Sequence, residues 1–521
     1  MKKYIFVIAA ALGIVSCSSD YMETAPEASV ATSTIVSSAD NAELALNGIC
    51  RLMTHQYLGS QGFNGEGTIK TWFGNYPGND FQKCNLTGWS SIINGTYHER
   101  NSSSYDYYPW YYYYMLIGNA NGIICNIDAA SGDPGKKDYI KAQALVFRAY
   151  SFSQLAQLYC WRWADSNNGA SNGLVLRLDQ STGDMPLSTL AETYAQIYAD
   201  LDEAIKLFSS CGYDRDADEF YKPNISVAYA VKARAALCRE DWDTAAKCAK
   251  EARKNYSIMS NDEYMGGGYT PNKEWIWGVY EASDQTLYYY SYYAYQGSNS
   301  SASICRSYPC AISKELIDQI PETDVRRSLF GVPTAEEMAE QLSGKEAIST
   351  TNGLASDAKG TFYKRMKSEH AAHLYSTSLI FAYMQFKQRC EFTPGGGSFT
   401  LFRAAEMAYI EAEADCHLNK EGDAQDILYS LVSPRDPAYK KTESKGEQLL
   451  NEIKLYRRFD LWGEGFDWFD YKRWNQPIDR KTFKNGGSFH ATFAIKVEPS
   501  AENKWTWVIP AKETNYNDEV N

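Results

Sequence analysis

Residues 457–474 read RRFDLWGEGFDWFDYKRW, a stretch in which aromatic and charged side chains are mixed around two glycines. It continues a helix that we predict around Glu447 to Asp460. Another helix is predicted upstream, from Leu401 to Leu418, because apolar and small residues recur there at helical spacing. We therefore interpret residues 457–474 as a structural motif of a helical protein.

The helical pattern extends through the N-terminal half of the chain. Apolar residues at a spacing of three and four predict helices over 111–127 and 139–159. Thr189 and Glu192 form a capping-box pattern. The helix that follows them carries one apolar face, which consists of Tyr194, Ile197, Leu201, Ile205 and Phe208. These segments predict a scaffold of successive helices.

A helical hairpin is predicted next, with Ser226–Cys238 as its first helix and Trp242–Lys254 as its second. The second helix carries small residues at a spacing of four and three, which lets two helices approach closely: Ala245, Ala249 and Ala252. Paired helices with rows of small residues are similar to tetratricopeptide repeats, although the spacing here is irregular.

The helical period fades between about 256 and 400, where glycine runs, tyrosine clusters and short alternating stretches predict loops and a few strands. The expected fold is mostly α. It is an irregular tetratricopeptide-like helical-repeat scaffold at about 39–255 and 401–474 with a long loop-rich, partly β excursion at about 256–400. Long excursions of this kind often carry binding residues.

The N-terminus predicts an export signal. Lys2 and Lys3 precede an apolar run, Ile5–Val15, that is too short to span a bilayer, which needs about 20 residues. The segment that ends at Cys17 resembles the lipobox of bacterial lipoproteins, so 1–16 would be the signal peptide and Cys17 the lipidated residue. The alternative is an ordinary cleaved signal that leaves Cys17 as a free thiol. Residues 17–38 are rich in Ser, Thr and Ala and read as a linker to a domain over 39–521.

Composition narrows the functional class. The chain has 521 residues, 44% of them hydrophobic, which excludes a disordered tail, a collagen and a polytopic membrane protein. Its net charge is -13, and it lacks the basic block that a nucleic-acid binder needs. Its 40 tyrosines suit surfaces that are partly exposed to water, because the phenol has an apolar face and a polar tip.

Several stretches together resemble the SusD/RagB family of outer-membrane nutrient-binding lipoproteins. Residues 401–415, LFRAAEMAYIEAEAD, and residues 457–474 resemble two of its signature segments. Further similarity covers 140–160, 193–208 and the C-terminal Trp507-Val508-Ile509-Pro510. Asp460 stands where the family usually has Glu, and Asp467 stands where Arg is common, so the local ion pairing of the motif is in question.

The resemblance implies a lipid-anchored protein on the surface of the outer membrane. Such proteins capture oligosaccharide or polysaccharide and deliver it to a SusC-like TonB-dependent transporter, over which they act as a lid. They are not enzymes and use no cofactor. A RagB-like member that captures peptide or protein is the alternative that the resemblance leaves open.

No stretch of the sequence matches a complete catalytic or metal-binding motif. Glu369-His370-x-x-His373 lacks the order of zinc peptidases. The G-x-S-x-G match at 169–173 lies in a polar stretch and lacks the strand that such an elbow requires. The acidic run from Asp214 to Asp218 lacks the glycine and the final glutamate of a calcium loop. A secreted hydrolase is therefore the least supported reading, and neither a cofactor nor a metal is expected.

Aromatic clusters are the remaining candidates for a binding site. Sugar rings pack their C–H faces on aromatic planes, and their hydroxyls bond to Asn, Arg and Tyr. Trp89 lies in the Gly-, Ser- and Asn-rich stretch CNLTGWSSIING, and the run at 288–295 could be a strand with half of its tyrosines facing the core. The predicted carbohydrate-binding residues are Trp89, Tyr289, Tyr290, Tyr292 and Tyr293, with Asn299 and Arg306 as polar partners.

Overall fold

The computed structural model of the protein describes residues 36–59, 62–85, 88–267, 270–283, 290–343, 360–498 and 505–520. Cys17 and Tyr289, two of the predicted functional residues, lie outside these ranges.

A series of helices forms the scaffold, and the first nine pack in succession, each against the next one in the chain. The bounds are α1 Ala39–Leu52, α2 Ser104–Ile124, α3 Pro134–Tyr159, α4 Leu190–Ser210, α5 Ile225–Cys238, α6 Trp242–Arg253, α7 Ala404–His417, α8 Glu421–Val432, α9 Gly446–Asp460 and α10 Asp467–Arg473. Helix α6 packs directly on α7 although the excursion separates them in sequence. The predicted mostly α fold is confirmed.

Local sequence explains how these helices begin and approach one another. At the start of α4, the Glu192 N–H donates to the Thr189 hydroxyl at 3.2 Å, and the Thr189 N–H donates to the Glu192 carboxylate at 2.8 Å. The predicted capping box is therefore confirmed. Ala245, Ala249 and Ala252 of α6 are completely buried, because small side chains let α6 lie close to α5 and α7.

In the part of the chain that the structure describes, three short antiparallel strand pairs accompany the helices. Strand β1 (Phe81–Lys83) pairs with β3 (Cys310–Ile312), β2 (Trp275–Val279) with β4 (Phe399–Arg403), and β5 (Ile478–Asp479) with β6 (Lys496–Val497). The loops and few strands predicted for the excursion are thus confirmed. The helix predicted from Leu401 begins only at Ala404, because residues up to Arg403 are extended and pair with β2.

Shorter helices connect the scaffold and line the excursion. They are Gly65–Thr68, the π-helix Ile69–Asn75, Ser90–Ile93, Asn261–Met265, Tyr292–Gln296, Ser303–Arg306, Lys314–Ile317, Ala335–Leu342, Thr361–Glu369 and Ala511–Thr514. The tyrosine run is therefore helical from Tyr292 onward, and the strand suggested for that part of it does not form.

The motif at 457–474 joins the scaffold to the excursion through Asp460. Its carboxylate lies 2.8 Å from Nη2 of Arg403 and 3.1 Å from Nη1 of Arg326. Burial by itself would raise the pKa of Asp460, but the guanidinium groups of Arg403, Arg326 and Arg435 outweigh it and hold the pKa well below its ordinary value. Asp460, although its side chain is shorter than that of the Glu usual at this position, therefore still forms the ion pairs of a charged motif.

Asp467, the second departure from the family pattern, bonds to backbone instead of to a cation. Its carboxylate accepts the N–H groups of Asn79, Asp80 and Phe81 at 3.0, 2.7 and 2.9 Å. Burial and the nearby Asp80 carboxylate raise the pKa of Asp467 to about 8. The residue thereby attaches α10 to the chain that enters β1.

Within the described ranges, no helix is both long enough and apolar enough to cross a membrane. The eleven described cysteines are free thiols. Cys305 and Cys310, which their spacing would allow to form a bridge, instead donate separately to the carbonyls of Gly297 and Tyr295.

Candidate functional site

Trp89 lies on a fixed aromatic support. It precedes the short helix Ser90–Ile93, and its carbonyl accepts the N–H groups of Ile92 and Ile93 at 3.0 Å each. Its half-buried ring packs on the fully buried ring of Trp72, with centroids 4.9 Å apart. The π-helix Ile69–Asn75 carries Trp72, so two short helices together position Trp89 at the edge of the core.

Two tyrosines extend this support on one side. Tyr105, in the first turn of α2, lies 5.4 Å from Trp72 and 6.4 Å from Trp89 between ring centroids. Tyr97 stacks on Tyr105 at 4.4 Å, and the Arg100 guanidinium lies 5.5 Å from the Tyr97 ring. Half-buried rings and an exposed cation therefore lie next to each other here.

Tyr290 extends the support on the other side, from the excursion. Its ring lies 5.9 Å from that of buried Tyr295, which in turn lies 5.5 Å from Trp72 and 6.2 Å from Trp89. The Asn64 side-chain amide donates to the Tyr290 carbonyl at 2.6 Å and fixes its backbone. We call the half-buried residues Trp89, Tyr97, Tyr105 and Tyr290 the Trp89 cluster.

A glycine allows the buried support to close. A Cβ atom on Gly62 would lie 2.4 Å from the Trp72 ring and 2.6 Å from the Tyr295 hydroxyl, and its φ of +96° is one that other residues rarely adopt. Any larger side chain at this position would displace the rings that carry Trp89.

The phenols of Tyr105 and Tyr295 have raised pKa values and therefore stay protonated at neutral pH. Burial, and then the neighbouring Tyr97, raise the pKa of Tyr105. Burial also raises the pKa of Tyr295 well above its ordinary value. The Arg100 guanidinium lies beside Tyr97 at the same edge. Among the described residues, no group of three His, Cys, Asp or Glu side chains is arranged to hold a metal ion.

Two of the predicted site residues belong to the core, which corrects the sequence interpretation. Tyr292 is 3% exposed and donates its hydroxyl to the Gly463 carbonyl at 3.0 Å. Tyr293 is 2% exposed and donates to the Ser398 carbonyl at 3.1 Å. The helix Tyr292–Gln296 directs both rings into contacts with distant segments, so both rings are almost completely buried.

The two predicted polar partners are bonded away from the Trp89 cluster. Asn299 exchanges two hydrogen bonds with the backbone of Cys390, at 2.9 and 2.8 Å. Arg306 donates to the Ser301 carbonyl at 2.7 Å and to the Thr377 hydroxyl at 2.8 Å. Both side chains therefore hold loops of the excursion together.

Of the predicted residues that the structure describes, Trp89 and Tyr290 come together, through Tyr295. The sequence prediction did not include Tyr97, Tyr105 or Arg100. Tyr105 belongs to the same aromatic-rich region as Trp89, and this position in the sequence could have identified it as a candidate. Tyr97 and Arg100 follow no periodic pattern, and only the packing of the loop before α2 places them here.

Comparison with known proteins covers almost the whole chain. Residues 57–237 match a family model described as starch-binding, associating with outer membrane, and residues 246–521 match the model of the SusD family. No curated protein matches the chain significantly in sequence.

Solved structures share the fold. A SusD-like carbohydrate binding protein from Bacteroides vulgatus is 22% identical, with a TM-score of 0.73 over 93% of this chain and 97% of that one. A SusD superfamily protein from Bacteroides thetaiotaomicron is 22% identical, with a TM-score of 0.69 over 93% and 99%. One from Bacteroides fragilis is 18% identical, with a TM-score of 0.69 over 94% and 100%.

Proposed function

This chain belongs to the SusD family, and from that membership we propose that it captures a glycan at the surface of the outer membrane and delivers it to a SusC-like TonB-dependent transporter. The observation that carries the glycan proposal is the Trp89 cluster. It offers several half-buried rings on a rigid support with a cation beside them. The name of the Bacteroides vulgatus relative, a carbohydrate binding protein, points the same way.

The chemistry of the cluster suits a sugar chain. Trp89 and Tyr290 present aromatic planes on which the C–H faces of sugar rings can pack, and Tyr97 and Tyr105 widen that surface. Arg100 and the phenol hydroxyls would bond to sugar hydroxyls. Tyr289 precedes Tyr290 directly in the chain and stays a predicted member of this site.

The proposed role is binding without cleavage. A shallow aromatic surface buries little of a ligand and must desolvate its hydroxyls, so the affinity of one site should be modest. Lipid attachment at Cys17 would hold the protein beside its transporter, and the high local concentration makes weak capture sufficient. Several acyl chains on one cysteine would give a stable anchor.

The central experiment titrates purified residues 18–521 with a panel of oligosaccharides, polysaccharides and peptides by calorimetry, while chromatography follows the ligands for cleavage. We expect binding to at least one glycan and no released product. Binding to peptides alone would favour the RagB-like alternative. Product release from any glycan would show that the protein is an enzyme and overturn the proposal.

The anchor has its own test. We expect radiolabelled palmitate to be incorporated into the full chain and the protein to fractionate with outer membranes. Cys17→Ala should abolish both, whereas Cys125→Ala, which removes an exposed thiol from the described domain, should change neither. Membrane fractionation that survives Cys17→Ala would contradict lipid anchoring.

A further inference from the structure

A second aromatic surface lies on α2, away from the Trp89 cluster. It is a groove of about 430 Å³ between α2, residues 177–182 and the C-terminal helix Ala511–Thr514, and we call it the α2 groove. Successive residues of a helix are rotated by about 100°, so Tyr105 and Tyr107 project from opposite sides of α2. The groove is therefore separated from the Trp89 cluster by the body of the helix.

The aromatic floor of the groove follows one helix face. Tyr107, Tyr111, Tyr114 and Gly118 recur at a spacing of four, three and four, and all of them line the groove. The rings of Tyr107 and Tyr111 are half-buried, with centroids 5.5 Å apart. Tyr112 and Tyr113 are completely buried, whereas Tyr111 and Tyr114 on either side of them face the cavity.

One wall of the groove is held rigidly against α2. The Tyr114 hydroxyl donates to the Val175 carbonyl at 2.8 Å. The Asn121 amide donates to the carbonyls of Arg177 and Asp179 at 3.0 and 2.9 Å, and Arg148 donates to the Asn121 oxygen at 2.9 Å. The first three bonds tie residues 175–179 to α2, and the fourth holds Asn121 in place, so this wall is formed before any ligand arrives.

The opposite wall is the C-terminal helix, and it is equally fixed. The Trp110 indole N–H donates to Glu513 at 3.0 Å, and the Asn517 amide donates to the same carboxylate at 2.8 Å. Asn517 also exchanges two hydrogen bonds with the backbone of Met185, at 3.0 and 2.9 Å. The C-terminal segment is thus bonded to α2 through Glu513 and to the chain that follows the first wall through Asn517.

Polar side chains in the groove have hydrogen-bonding capacity that is not satisfied within the protein. Within the described ranges, neither the Tyr107 hydroxyl nor the Tyr111 hydroxyl forms a hydrogen bond with another protein group. The Lys512 ammonium lies 4.6 Å from the Tyr107 ring centroid. Nη1 of Arg177 donates to the Gly183 carbonyl at 3.0 Å, but its Nη2 is 3.9 Å from Glu513, too far for a hydrogen bond. Donors therefore remain available around two ring faces.

We propose that the α2 groove is a second, independent saccharide-binding site that takes a short oligosaccharide. Its volume lies in the range of small-molecule sites, which is about 300 to 1,000 Å³. Ring faces bordered by unsatisfied donors match a molecule that has C–H faces and many hydroxyls. A folded protein partner would need a broader contact of about 800 Å² on each side, which a narrow groove does not supply.

The test separates this site from the Trp89 cluster. Saturation-transfer NMR is recorded with maltotriose, cellotriose, mannotriose, xylotriose and galactotriose on the wild type and on Trp89→Ala. We expect at least one trisaccharide to keep its signal in Trp89→Ala, and Tyr111→Ala added to that variant should weaken its binding about tenfold. Tyr429→Ala, at a 40% exposed tyrosine of α8, is the matched control and should change nothing.

A blocking variant guards against loss of structure. Gly118 is exposed, and a Cβ atom there meets nothing within 4 Å, so Gly118→Trp should fill the groove without disturbing the fold. We expect an unchanged melting temperature and the same loss of binding.

Complete loss of signal in Trp89→Ala alone would overturn the second site and leave the Trp89 site standing. The second site would also be overturned if Trp89→Ala kept its binding and neither Tyr111→Ala nor Gly118→Trp weakened that binding. Signals from a tryptic peptide mixture without any saccharide signal would reassign the groove to peptide, and no saccharide binding even to the wild type would contradict both proposed sites.

Discussion

The indole rings of Trp89 and Trp72 pack with centroids 4.9 Å apart and planes inclined by 36°. Trp72 is completely buried, whereas Trp89 is half-buried at the edge of the core. The inner ring therefore sets the position of the outer ring, which packs against the core from its edge. This division makes the two contributions, to folding and to binding, separable by experiment.

Trp89→Ala should weaken glycan binding about tenfold, because one aromatic stacking contact contributes about 1 to 1.5 kcal/mol. The melting temperature should stay nearly unchanged, since Trp72 continues to fill the core beneath. Calorimetry and thermal unfolding measure the two effects. Trp161→Ala is the matched control, at a 41% exposed tryptophan outside the cluster, and should leave affinity unchanged. Unaltered affinity in Trp89→Ala would remove Trp89 from the site.

Tyr292→Phe should lower the free energy of unfolding by about 1 kcal/mol, because it removes one buried hydrogen bond. The cost stays small, since the Gly463 carbonyl also accepts from Asn75 at 3.0 Å and from Gln296 at 3.1 Å. Glycan affinity should not change. Urea unfolding and calorimetry check the two results. Tyr290→Ala should instead weaken glycan binding and leave the free energy of unfolding nearly unchanged. Weaker glycan binding by Tyr292→Phe would show that this ring contacts ligand after all.

Asp460→Asn should cost about 3 kcal/mol of stability, because it leaves the buried guanidinium groups of Arg403 and Arg326 without part of their countercharge. The matched control is Asp426→Asn, which breaks an exposed ion pair with Lys441 and should cost less than about 1 kcal/mol. Urea unfolding compares the two variants. Equal costs would mean that the motif at 457–474 does not depend on its buried charges.

Glu66→Gln should change how stability depends on pH. Burial raises the pKa of Glu66 from its ordinary 4.5 to about 7, although hydrogen bonds from Tyr150 and Tyr113 oppose the shift. Between these two values the folded protein holds a proton that the unfolded chain has lost, so Glu66 makes stability fall as pH rises through this window.

The variant lacks this titration. Its stability relative to the wild type should therefore rise between pH 4.5 and about 7, by up to a few kcal/mol, and level off above that. Urea unfolding at intervals from pH 4.5 to 8 measures the difference. A difference that stays constant over this range would contradict the raised pKa.

Sequence pattern predicted most of the scaffold, because helix-forming signals are local. The capping box at Thr189 and the small-residue face of α6 each involve residues within a few turns of one another. The same periodicity indicated neither α8 nor the π-helix Ile69–Asn75. The π-helix owes its shape to contacts with α10 and with the chain around Tyr292, which local spacing does not encode.

The candidate site could be predicted only in part. Trp89 was recognisable because a tryptophan in a polar, glycine-rich stretch has few local packing partners. The tyrosine run was not resolvable in this way, since Tyr290, Tyr292 and Tyr293 have the same side chain and nearly the same neighbours. Sequence therefore could not separate the half-buried ring from the two buried ones.

The amino-acid sequence by itself determined the helical elements, the charged motif at 457–474 and the family to which the chain is similar, because these depend on local spacing and residue type. Tertiary structure alone decided which tyrosines reach the surface. Tyr292 is buried since Phe399 and Gly463, more than a hundred residues away in the chain, cover it. Tyr290 is only half-buried, with its ring against that of Tyr295. Burial depends on the segments that meet in space, and no local pattern specifies which ones do.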